Sequence, residues 1–290
     1  MPPPEAVPEP AAAWLDDLPR ETLEAMLAAG REVLEWRRLL AKTGDNVVGE
    51  VLKHEGQFYI LDHYPKGDVF DPESHSQWYY HAHDKADRPG EHGHFHTFLR
   101  GGGMPAGIEP APLPDFQPRA ARHDLVCHLI AVAMDRSGWP LGLFTTNRWV
   151  TAETWYAAHD VALMLDRFDV RMSKPSWPVN RWLTNMLRLF RPQIEELLQQ
   201  RDERISRLAA RPSRGQYLRG PPPRGDLAAA GQRRGPGRAP GSAARVARKL
   251  LRGRPNAALL IRLSEGEARG GGARGTRRRE SRRQCRCCVG

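Results

Sequence analysis

The sequence predicts an α+β fold: an antiparallel sheet of about five strands, one helix before it, two helices after it, then a disordered tail. Three observations predict this. Apolar residues recur at helical spacing near residues 19–42 and again between 151 and 208. Between those stretches the period falls to two, with turn signals such as Pro89-Gly90 separating the segments. After about residue 212 neither period survives.

The first helix is expected from about Pro19 to Lys42. Leu23, Met26, Leu27, Gly30, Val33, Leu34 and Leu40 share one face, Glu21 and Glu24 suit the positive end of the dipole, and Gly44 suits the stop. Strands are expected at 57–62, 77–83, 92–99, 125–134 and 139–146, with a Pro/Gly-rich loop over 63–76 and a long one over 101–120. A helix over 151–168 takes Thr151 as its N-cap. The last helix starts after Ser176-Trp-Pro178 and carries the stripe Val179, Trp182, Leu183, Met186, Leu187, Phe190, Ile194, Leu197, Leu198, Ile205 and Leu208; Pro192 should kink it.

The domain plan is therefore a Pro-rich disordered lead-in over 1–11, a single α+β domain over 12–212 and an Arg/Gly/Pro-rich tail over 213–290. The overall charge of +10 hides a division. Up to Ala210 there are 23 Lys+Arg against 30 Asp+Glu; the remainder carries 21 against 4. The body is thus mildly acidic, and nucleic-acid binding would depend on the tail alone. Arg, Gly, Pro and Ala make up 52 of the last 80 residues, a mixture that cannot bury enough apolar surface to order itself. Such a mixture also arises when a GC-rich gene is read out of frame, and the abrupt change near Tyr217 favours that origin over a selected basic tail. Cys127 is the one cysteine of the body, no secretory signal is visible and no run is long enough to span a membrane, so a reducing cytoplasm is expected.

Six of the eleven histidines lie in the run Ser74-His-Ser-Gln-Trp-Tyr-Tyr-His-Ala-His83…Gly90-Glu-His-Gly-His-Phe-His-Thr-Phe98. Residues two apart on a strand point the same way, so His81 and His83 on one strand and His92, His94 and His96 on the next can share a face. Closing the intervening loop evenly sets His83 against His92, His81 against His94 and Tyr79 against His96. Opposed imidazoles at such spacing can converge on one divalent ion, Zn²⁺ being the first expectation. His81, His94 and His96 head the ligand set, with His83 and His92 nearer the loop. Glu91 is the candidate catalytic base, and it or Asp84 could instead be a fourth ligand or orient one. The His-x-His…Glu spacing of cupins and the H-E-x-x-H of zinc peptidases are both absent.

Other features point less far. Adjacent Cys127 and His128 fall on opposite strand faces, which excludes a dyad and puts His128 with Ile130, Val132 and Met134 in the core. His159, one turn after Trp155, reads as a core residue too. Gly101-Gly102-Gly103 lacks a P-loop ending and reads as a hinge, and Ser74-His75-Ser76 lacks a nucleophile elbow.

The stretch Lys42-Thr-Gly-Asp-Asn-Val-Val-Gly-Glu-Val-Leu52, with His63-Tyr-Pro-Lys-Gly-Asp68 and the histidine block, resembles an uncharacterised bacterial family known only as a domain of unknown function. The resemblance covers about residues 12–217. It implies a bacterial, cytoplasmic, single-domain protein and carries no activity with it. Three function classes follow: a metal-binding protein with hydrolase or lyase chemistry through metal-bound water; a non-enzymatic module gripping a small ligand or a protein through Trp78, Tyr79, Tyr80 and Phe95; and nucleic-acid binding through the tail.

Overall fold

Nearly continuous burial marks the central strands in the middle of the chain, and the computed structural model forms that segment into a five-stranded antiparallel sheet. It describes residues 18–84, 88, 90–111, 121, 125–146 and 153–209. The strands are β1 (Tyr64–Phe70), β2 (Ser76–His81), β3 (Gly93–Arg100), β4 (Val126–Met134) and β5 (Pro140–Phe144), in spatial order β1-β2-β3-β4-β5. The helices are α1 (Arg20–Ala41), α2 (Val47–Leu52), α3 (Ala158–Leu165), α4 (Trp177–Leu189) and α5 (Arg191–Ala209). The predicted lead-in, the tail and the Thr151 cap lie outside the described residues.

Helices cover one sheet face. Trp78, Tyr80 and Phe95 point into that layer, where Phe95 meets Trp182 of α4 at 5.9 Å between centroids. Trp78 Nε1 donates to Asn180 Oδ1 at 3.0 Å, which satisfies the indole in a fully buried position. Met26 and Val33 of α1 belong to the same core, as the predicted stripe requires.

The first strand lies later than expected. Pro65 and Gly67 argue for a loop, but an edge strand tolerates both. Tyr64 pairs with Tyr80 and Val69 with Trp78, so residues between them bulge out of the ladder, helped by φ of +87° at Gly67. The segment 57–62 makes a single ladder-like bond, Leu61 N to Ala82 O at 2.8 Å, and buries Phe58 against Tyr64.

Three helical expectations also change. The short α2 has no periodic stripe to announce it; Asn46 caps it, its side chain accepting from Val48 N (3.0 Å) and Gly49 N (3.1 Å). Replacing Asn46 by Ala should cost about 1 kcal/mol in chemical unfolding, with Asp at that position recovering most of it. An unchanged midpoint would contradict this role. Residues 153–157 are not helical but run beside β4, with Thr154 N bonded to Val126 O at 2.8 Å. The first amide of α3 is capped from α5, Ala158 N donating to Asp202 Oδ2 at 2.6 Å. The last helix breaks rather than kinks. Phe190 leaves helical geometry (φ −102°, ψ 17°), and Pro192, which has no N–H to give, falls in the first turn of α5.

Candidate metal centre

The β2–β3 register is the one the histidine spacing predicts: Tyr79 opposes His96 and His81 opposes His94. Because Trp78, Tyr80 and Phe95 face the helices, the alternate residues Tyr79, His81, His94 and His96 occupy the other face. On β4 and β5 that face carries Ala131, Ala133 and Gly142, paired in register with His96, His94 and Ala133 respectively. These small residues leave room beside the imidazoles. Phe144 walls the space, 5.1 Å from His94 and 6.3 Å from His96 between centroids. Arg88 lies over Phe144 at 4.3 Å. His81, His94 and His96 are consequently only 6%, 1% and 1% exposed.

Their nitrogens converge. His81 Nε2 lies 2.8 Å from His94 Nε2 and 3.2 Å from His96 Nε2. The partly buried His83 stacks on His94 (5.3 Å, 16°) and stands 4.9 Å from His81. His81, His83 and His94 each offer a ring nitrogen within 4.8 Å of the other two, a group that could hold a metal ion.

The outer nitrogens have partners. His94 Nδ1 meets Glu91 Oε1 at 2.5 Å; a carboxylate only accepts, so the proton sits on Nδ1 and Nε2 keeps its lone pair. The other Glu91 oxygen, Oε2, accepts from Arg88 Nη1 at 3.1 Å. His96 Nδ1 lies 2.9 Å from His128 Nε2. His128 reaches this face through a β-bulge. Thr97 pairs with Ile130 and Phe98 with His128, so Leu129 is the extra residue and the parity of the strand inverts there. The expected burial of His128 holds, but it shares its face with the histidines instead of with Ile130.

His92 is not brought to the cluster. It precedes the first residue of β3, and its Nδ1 meets Tyr80 Oη at 2.7 Å on the helix-facing side, where its ring stacks on Phe58. Asp84 is exposed. His63, which the sequence gave little reason to single out, stacks on Tyr79 at 3.6 Å and stands edge-on to His81 at 5.7 Å. His159 is exposed, because α3 starts at Ala158 and Trp155 lies outside it. Gly102 and Gly103 are tightly packed and leave no room for a side chain: a Cβ on Gly102 would lie 2.4 Å from the His75 ring, and one on Gly103 2.5 Å from Ser74 O. Cys127 is buried, and burial, reinforced by Glu153, holds its thiol well above the usual range, so it is no nucleophile.

Burial keeps the imidazoles neutral. It pushes His81 and His94 down to about 2, helped for His81 by the neighbouring histidines and for His94 by Arg88. His128 falls to about 3 through burial and then Arg201, and His96 goes well below its ordinary value through burial and then His128. Burial raises Glu91, with Arg88 opposing. The neutral ring is the form that ligates a metal.

Folded values below the unfolded 6.5 mean the unfolded chain binds more protons in acid. Stability is then full above pH 6.5 and falls as pH drops toward 2–3, because each such histidine must take up a proton that only the unfolded chain accommodates. Urea midpoints of the metal-free protein at pH 7.5, 6.0 and 5.0 should fall steeply; equal midpoints would contradict a neutral buried cluster.

The fold and the site together define the class: an α+β protein whose open antiparallel sheet carries a buried cluster of neutral histidines on the face opposite its helices. The chain belongs to the family described as Domain of unknown function (DUF6969), whose model matches residues 27–219. No curated protein and no solved structure matches it. Among the described residues, no helix is long and apolar enough to cross a membrane.

Proposed function

We propose that this protein binds one divalent metal ion, with Zn²⁺ the best fit, between His81, His83, His94 and His96. The observation that carries the reading is the approach of His81 Nε2 to two further Nε2 atoms, at 2.8 and 3.2 Å. One in-plane site on His81 Nε2 holds either a proton or a lone pair. A proton can be shared between those neighbours, whereas an ion would engage all the nitrogens as full ligands. Tetrahedral Zn–N bonds near 2.0–2.1 Å place ligand nitrogens about 3.3–3.4 Å apart, a small relaxation from these distances. An all-imidazole set suits Zn, Cu, Ni or Fe better than Mg or Ca.

Glu91 then orients rather than reacts. Both its oxygens are engaged, one by His94 and one by Arg88, in a carboxylate–histidine–metal arrangement. Four bound imidazoles would close a tetrahedral ion; His83, less buried than the others, is the ligand that would give way to water or substrate and leave three histidines holding the ion. Metal-bound water there would supply hydrolase or lyase chemistry. His92, bonded to Tyr80, takes no part.

Calorimetric titration of Zn²⁺ into the metal-free full chain tests this, with Cys285, Cys287 and Cys288 changed to Ser so that no tail thiolate competes. Glu91→Gln should weaken binding roughly 10- to 100-fold. Equal affinity would remove Glu91 from the site; no binding by the parent chain would end the metal reading.

A further inference from the structure

The buried imidazoles raise a question of access. An ion arriving from solvent must reach groups that are almost wholly covered. One histidine at the rim is built differently from an ordinary surface residue. His63 Nδ1 donates to Asp68 Oδ1 at 3.0 Å, and the other Asp68 oxygen accepts from Gln77 Nε2 at 2.8 Å. Gln77 Oε1 in turn accepts from Arg100 Nε at 2.6 Å. This chain of bonds fixes the carboxylate at both oxygens. Asp68 itself sits at φ +58°, a left-handed conformation that costs a non-glycine residue and that the β1 bulge imposes. The face of the ring is fixed as well, parallel to Tyr79 at 3.6 Å and 9°.

An exposed histidine–carboxylate pair contributes little to stability, so stability does not account for this arrangement. What it does produce is a defined tautomer. With the proton on Nδ1, His63 Nε2 carries a lone pair, as Glu91 arranges for His94 inside the cluster. The His63 side chain is 44% exposed, while its edge-on neighbour His81 is 6% exposed. One imidazole thus stands half in solvent and half against the buried group.

We propose that His63, held by Asp68, is the first ligand an incoming divalent ion meets, and that it passes the ion inward to His81. This rests on the metal-binding reading above. In this role His63 governs the rate of loading and leaves the final occupancy to the buried histidines.

The test is the rate at which Co²⁺ fills the metal-free full chain, followed by visible absorbance in a stopped-flow instrument at fixed pH, again with the three tail cysteines changed to Ser. His63→Ala should slow filling by about tenfold or more, the lower end of what losing a metal-site partner costs, and reach the same final occupancy. Asp68→Asn should slow it less. His159→Ala, which removes an exposed histidine beside Asp160, should leave the rate unchanged. Filling of His63→Ala at the parent rate overturns the loading role alone. Loss of final occupancy in that variant also overturns it, by making His63 a resident ligand. A parent chain that takes up no cobalt ends the metal reading, and this role with it.

Discussion

His94→Ala should abolish divalent-ion binding. His94 is the pivot of the cluster: Nε2 lies 2.8 Å from His81, Nδ1 holds Glu91, and its ring face carries His83. Alanine removes a ligand, strands the Glu91–Arg88 pair and frees His83 to move. The affinity loss should exceed the roughly 100-fold upper range for outer-shell partners. His83→Ala should cost less, since that residue sits at the partly exposed margin. The same calorimetric titration ranks the two, with circular dichroism showing that each variant is folded. Retention of parental affinity by His94→Ala would place the ion elsewhere.

Trp78→Ala should destabilise the domain by about 3–5 kcal/mol, the range for deleting a buried large aromatic, out of a total usually near 5–15 kcal/mol. Trp78 is fully buried beneath α4, edge-on to Phe95 at 5.5 Å. Its loss opens a cavity at the centre of the sheet–helix interface and leaves Asn180 Oδ1, itself buried, without its indole donor. Trp78→Phe separates the two contributions: it keeps most of the volume and loses the hydrogen bond, worth about 1 kcal/mol. Urea unfolding at neutral pH measures both. A loss below 1 kcal/mol for Trp78→Ala would show that α4 does not depend on this contact.

The fold class was legible because its strongest signals are local. The stripe from Leu23 to Leu40 and the alternation through His81, His94 and His96 each specify an element and a face without reference to the rest of the chain. Register between β2 and β3 followed from closing the loop between them evenly. What escaped depends on distant partners. β1 contains Pro65 and Gly67, and only its place at the sheet edge makes them tolerable. The cap of α3 comes from Asp202, 44 residues on. Phe190 breaks a helix that Pro192 alone would only have kinked.

The site divides the same way. Alternation places His81, His94 and His96 together, and the chain adds His83 just past the end of β2. His92 obeys the same spacing and still turns away, because pairing with β2 ends at His94 and Tyr80 offers its hydroxyl on the other side. His128 breaks the spacing and still joins, because Leu129 bulges. Neither departure leaves a mark in the neighbouring residues. His63 gains a defined place only from the bulge of β1, which brings Asp68 within 3.0 Å of its Nδ1.

The central claim is that the histidine face holds an ion, and the most direct test is the metal content of the full chain after loading with Zn²⁺ and exhaustive dialysis. Elemental mass spectrometry on the variant lacking the three tail cysteines should find close to one zinc per chain, and almost none once His81 and His94 are both replaced. Protein that emerges empty, folded and with all four histidines intact would contradict the account.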